Sequence, residues 1–203
     1  MADSRQISIW IAGLAAADAR LRAESGLRVY LAGVNLFLPL LHAWVDDLAF
    51  REMTLPYSRL AEEQGKNGPS TLRVGVAAGP ELFEAIWKAN GSPHRANVPP
   101  DQDAQEFDLE MDDAVKLDVL TSRDPGGEGA IARYLKKFGA GIQQIELYVR
   151  NVERATEILR GKFGQEPIYP ATRAGADDTR VNFFLTSTPE GKKLLVELVE
   201  ARP

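Results

Sequence analysis

The side chains in this chain with chemistry to offer sit at alternate positions within short apolar runs. Arg73 interrupts Leu72, Val74 and Val76, and Lys116 with Asp118 interrupts Val115, Leu117 and Val119. Gln144, Glu146 and Tyr148 interleave with Ile145, Leu147 and Val149, and Glu197 falls between Val196 and Leu198. Side chains on a strand point alternately to opposite faces, so each polar set shares one face and each apolar set the other. A guanidinium is a permanent cation with a planar fork of donors, and carboxylates accept hydrogen bonds or protons. A carboxylate such as Glu197 or Asp118 could serve as a general base, with Arg73 stabilising developing negative charge. Periodicity alone favours a wetted sheet face carrying weak cross-strand ion pairs.

Other chemistries are excluded or weakened by composition. The chain has 203 residues and no cysteine, which removes disulfides, thiolate metal sites and cysteine nucleophiles. Only two histidines are present, His42 and His94, too few for a histidine-rich zinc site without several carboxylates. His42 lies in an apolar segment and is expected in the interior or at an interface, whereas His94 sits in a proline-rich loop and is expected exposed. Gly126-Gly127 and Gly139-x-Gly141 lack the Lys-Ser/Thr of a phosphate loop. No G-x-S-x-G elbow occurs. The net charge of −5 argues against nucleic acid as a partner. Hydrophobic residues at 44% and charged residues at 26% allow an ordinary globular core. The opening Met-Ala-Asp-Ser-Arg-Gln has no basic stretch followed by an apolar run, so no secretory leader is expected, and a cytoplasmic setting fits.

The elements that must position these residues follow from period and punctuation. Residues 1–70 are expected to be a helical extension and linker. Ile7, Trp10, Ile11, Leu14, Ala17 and Leu21 recur at helical steps, and Gly26 is a candidate stop. Leu27 to Phe50 is apolar on nearly all sides and needs cover from the main domain or a second subunit; Arg28, Asn35, Pro39 and His42 interrupt it, which favours a buried or interface helix over a membrane span. Pro39 is expected to kink or break it. A linker spans 51–70, with one helical turn near Arg59 to Glu63. Beyond it the order strand, helix, strands occurs twice, in modules of about 71–123 and 141–200. The helices open at Gly79-Pro80 and at Asn151 and close at Asn90-Gly91 and at Gly161 or Gly164; a third spans Ala130 to Lys137. Asp112-Asp113 and Thr188 to Gly191 are turn candidates. A strand is expected near Ile168. Val181, Phe183 and Leu185, like the other apolar sets, are expected to pack under the helices. Trp10, Trp44 and Trp87 are expected to be packing residues.

Three stretches resemble a known family. KLDVLTSRDPGGEGAIARYLKKFGAGIQQIELYV, from Lys116 to Val149, resembles the middle of methylmalonyl-CoA epimerases and other vicinal-oxygen-chelate (glyoxalase / bleomycin resistance / dioxygenase) proteins. KKLLVELVE resembles that superfamily's terminal strand, and TLRVGVAAG its opening strand. The resemblance covers about residues 71–200. It implies an α+β fold in which two βαβββ modules form a cupped mixed sheet, here with an N-terminal helical extension. It also implies a metal site on the concave face, and the four ligand positions fall on Arg73, Asp118, Gln144 and Glu197. Only the last keeps the family's residue. A guanidinium has no lone pair for a metal and repels a cation, so no metal or other cofactor is expected. An Arg73–Asp118–Glu197 cluster would stand in the metal's place, either as a working site or as a structural ion-pair remnant.

The functional expectation is therefore a glyoxalase-like protein with a degenerate metal site. It would bind a small anionic or carbonyl-containing molecule through Arg73, Lys116, Gln144, Glu146 and Tyr148. Drug-sequestering members of the bleomycin-resistance type provide the pattern. The alternatives are a metal-independent or unusual-metal lyase or isomerase working through Glu197, Asp118 and Arg73, and an assembly or structural protein. Partners expected are a small molecule and a second copy of the chain, with neither nucleic acid nor membrane.

Overall fold

The computed structural model describes residues 3–54, 72–111, 115–188, 191 and 193–200. The expected helical turn at Arg59 to Glu63 and the turn at Asp112-Asp113 lie outside the described residues, as does part of the Thr188 to Gly191 turn. The chain divides into two compact units, Met1–Gly33 with Val74–Gln143, and Val34–Arg73 with Gln144–Pro203.

The first unit begins with α1 (Ser4–Gly13), capped by the Asp3 carboxylate, which accepts from Gln6 N. The helical period does not run on to Gly26 as one element. The chain breaks after Leu14 and restarts at Asp18, whose carboxylate accepts from Leu21 N at 2.9 Å. The helix it starts, α2 (Ala19–Val45), runs straight through Gly26 and contains Pro39. Neither position ends the helix. Gly26 is no stop because it is a contact: a Cβ there would collide with the Met111 sulfur, and one at Gly33 would lie 2.5 Å from Val74 Cγ1. The bare backbone lets α2 lie close on this unit's strands. Pro39 stands on an exposed side of the helix.

The strands of this unit are β1 (Leu72–Ala77) from Val74 onward, β2 (Gln105–Glu110) and β3 (Lys116–Thr121), with α4 (Pro80–Ala89) between β1 and β2. β3 is central, parallel to β1 and antiparallel to β2. Val74, Val76, Phe107, Leu109, Leu117 and Val119 are buried, and Phe83 of α4 meets Phe107 at 4.8 Å between ring centroids. Two βαβββ modules were expected, and the two units follow that order with one difference. Here the strand before β2 is reduced to one bridge, Arg95 with Phe107, so this unit is βαββ. Helix α5 (Ala130–Phe138) follows, and its Tyr134 hydroxyl donates to Ile142 O at 2.8 Å.

The second unit holds α3 (Leu48–Met53) and a complete βαβββ set: β4 (Gly141–Tyr148), α6 (Val152–Phe163), β5 (Arg173–Ala174), β6 (Arg180–Ser187) and β7 (Lys193–Glu200). β4 and β7 are parallel; β6 is antiparallel to both β7 and β5. Asn151 caps α6 by accepting from Arg154 N, and Gly164 ends it in the left-handed region, where a residue without Cβ is favoured. Gly161 lies inside the helix. The strand expected near Ile168 is only a bridge between Pro167 and Phe184. A chain of edge-to-face rings, Phe37, Trp44, Phe50 and Phe163, ties the C-terminal half of α2 to α3 and α6. Trp44 is therefore a packing residue, and Trp87 anchors its loop by donating to Pro93 O. His42, expected inside, is exposed on α2, and His94 is exposed as expected.

Candidate functional site

A cluster of polar side chains lies on one face of the second unit's sheet. The register sets Glu146 of β4 beside Glu197 of β7, and Phe183 of β6 beside Glu197 on its other side. Residues two apart share a face, so Gln144, Glu146 and Tyr148 form one row, Leu195, Glu197 and Val199 the next, and Phe183 with Leu185 a third. Gln144 and Glu146 are buried, at 7% and 6% exposure. Buried polar groups need partners. The Gln144 amide supplies them, donating from Nε2 to Glu197 Oε2 at 2.7 Å and to Glu146 Oε1 at 3.3 Å. One amide thus bridges two carboxylates on adjacent strands.

At the far end of the row the Arg73 guanidinium lies over the Tyr148 ring, with its carbon 5.0 Å from the centroid. That is a cation–π distance. The predicted residues Arg73, Gln144, Glu146, Tyr148 and Glu197 are brought together in this unit. Lys116 and Asp118 lie on β3 in the first unit. Lys116 forms an ion pair with Glu110 across the β2–β3 pair at 3.1 Å, and Asp118 is buried between its strand partners Asp108 and Gly75.

The apolar part of the surface escaped the sequence. Val181, Phe183 and Leu185 were expected beneath the helices. The register instead puts Asn182, Phe184 and Thr186 on the helix side, with Asn182 Nδ2 donating to Thr156 of α6, and turns Phe183 and Leu185 toward Glu197. Leu185 is 54% exposed, and Tyr169 meets Phe183 edge-on at 6.1 Å. The signal was weak because Phe183 and Phe184 are both apolar; only the polar Asn182 and Thr186 carry a hint, and each is buried.

No imidazole is present among these residues, and the Gln144 amide is engaged as a donor to both carboxylates. Among the described residues no group of three or more His, Asp or Glu side chains could hold a metal ion.

No family model matches the chain, and no curated protein sequence matches it. Solved structures do. Methylmalonyl-CoA epimerase from Mycobacterium tuberculosis is 27% identical, with 66% of this chain and 90% of that chain covered at a TM-score of 0.53. A Streptomyces coelicolor methylmalonyl-CoA epimerase variant in complex with 2-nitronate-propionyl-CoA is 23% identical, covering 64% and 92% with a TM-score of 0.51. A hypothetical protein from Bacillus halodurans C-125 is 20% identical, covering 64% and 93% with a TM-score of 0.51. The strand–helix–strand architecture of this chain is that of the vicinal-oxygen-chelate superfamily, and methylmalonyl-CoA epimerases are among the solved structures it is similar to.

Proposed function

We propose that the sheet face carrying Glu146, Gln144 and Glu197 beside Arg73 and Tyr148 binds a small molecule without a metal. The observation that carries this reading is the amide-bridged carboxylate pair on the strand row whose Tyr148 ring lies 5.0 Å from the Arg73 guanidinium carbon. The charges define the ligand. Arg73 suits an anionic or carbonyl oxygen, and the carboxylates suit a hydrogen-bond donor or an acidic C–H. The open strip of Phe183, Leu185 and Tyr169 suits a hydrocarbon portion.

A second reading is favoured by the same carboxylate pair. A carboxylate beside a carbonyl held by Arg73 could remove a proton α to that carbonyl, with the guanidinium stabilising the enolate-like charge. Glu197 is the better candidate, because it is half-buried while Glu146 is buried. The likeness to methylmalonyl-CoA epimerase makes an acyl thioester the first substrate class to try.

Methylmalonyl-CoA in deuterated buffer is the probe. Calorimetry reads binding, and proton NMR reads exchange at the carbon between the two carbonyls. Saturable binding lost in Arg73→Ala supports the binding reading; exchange lost in Glu197→Gln supports the enzyme reading. Protein purified in the presence of nickel, cobalt and manganese is expected to carry no stoichiometric metal. One tight equivalent per chain, removed by Glu197→Gln, would overturn the metal-free site.

A further inference from the structure

The longest described helix carries a second apolar stripe that the described residues cover only in part. With 27 residues α2 is about 40 Å long. Its inward stripe, Ser25, Gly26, Val29, Gly33, Phe37 and Trp44, is buried. Its other apolar stripe is Leu27, Leu31, Val34, Leu38, Leu41 and Val45, at alternating steps of four and three. Leu27 and Leu31 are 44% and 47% exposed, and the other four are half-buried. Alternating steps of four and three are the heptad period, which keeps one seam facing a partner helix.

We propose that this stripe is the seam on which two copies of the chain pair, through antiparallel α2 helices. Reversing the helix about the point midway between Val34 and Leu38 sets Leu27 against Val45, Leu31 against Leu41, and Val34 against Leu38, each twice. The stripe is thus its own complement, as a two-fold interface requires. Charge agrees with the antiparallel sense. Arg20, Arg22 and Arg28 lie toward the start of α2, with only Glu24 among them, and Asp46 with Asp47 follows its end. Reversal brings Arg28 of one copy near Asp46 of the other and opposes the helix dipoles. Arg28, Asn35 and His42 flank the seam on one side; they suit a wetted rim between helices and would be costly inside hydrocarbon.

The chain has no cysteine, so introduced ones report geometry cleanly. Light scattering of the whole chain should give twice the monomer mass, and Leu27→Glu with Leu31→Glu should halve it with the far-ultraviolet circular dichroism unchanged. Mixed Leu27→Cys and Val45→Cys chains should oxidise to a crosslinked pair, while either variant alone should not. A wild-type monomer, or a double-glutamate variant that stays dimeric, would overturn the seam. Crosslinking of Leu27→Cys alone would overturn the antiparallel sense. Co-sedimentation with phosphatidylcholine vesicles, lost in the double-glutamate variant, would make the occupant a membrane and overturn the proposal.

Discussion

Gln144 carries more of the candidate site's stability than its neutral side chain suggests. Its two amide hydrogens are shared between two acidic groups that the β4–β7 register forces side by side. Replacing it with leucine would strip a donor from each and leave two like charges in a mostly dry place. Gln144→Leu is expected to cost about 1–3 kcal/mol in chemical denaturation, with the slope unchanged. Adding Glu146→Gln should recover part of that loss, because the new amide can again donate to Glu197. The polar face was legible in the sequence because Gln144, Glu146, Tyr148 and Glu197 each interrupt a clean apolar alternation. The bridge itself was not, since residues 144 and 197 are joined only by register. The apolar half was hidden by Phe183 and Phe184, adjacent and equally apolar, between which only pairing with β7 decides.

At the scale of elements, local signals were read well and packing signals were not. The Asn151 cap and the Gly164 terminus of α6 work through the backbone of one turn, so sequence suffices. Gly26 and Gly33 carry the opposite lesson: Gly26 looks like a stop, yet the meaning of both lies in Met111 and Val74, far along the chain. Two substitutions separate the roles of glycine. Gly161 of α6 has open space around its missing Cβ, so Gly161→Ala should stabilise by about 0.5–1 kcal/mol through helix propensity. Gly33→Ala makes the same propensity change but drives a methyl into Val74, so it should destabilise by about 1–3 kcal/mol. Thermal melts of the pair check both signs; equal shifts would show that α2 is not seated through Gly33.

For the whole molecule, alkaline pH offers a readable response. Tyr134 keeps its proton more tightly than an ordinary phenol: burial pushes its pKa from 10.0 up to about 12. The unfolded chain gives up this proton first, so its contribution to stability is complete below pH 10 and is lost as pH rises through about 12. Urea midpoints measured across that window should fall, and Tyr134→Phe should fall less steeply while starting lower, since it lacks the bond to Ile142 O. At the acid end Asp47 responds in the opposite direction. Its hydrogen bond to Lys162, and then its cap on Phe50, hold its pKa below the usual carboxylate value. Its contribution is therefore present above that usual value and lost as pH falls through its own.

The course of α2 through both compact units bears on how the chain is made. Residues 19–45 leave the ribosome long before the strands they rest on: β3, which completes the first unit's sheet, ends at Thr121. At roughly 5–20 residues per second that gap lasts about 4–15 s, during which a leucine-rich helix has no sheet to lie on. A nascent chain halted within this interval should recruit holdase chaperones through that segment, and one released past the final strand should shed them.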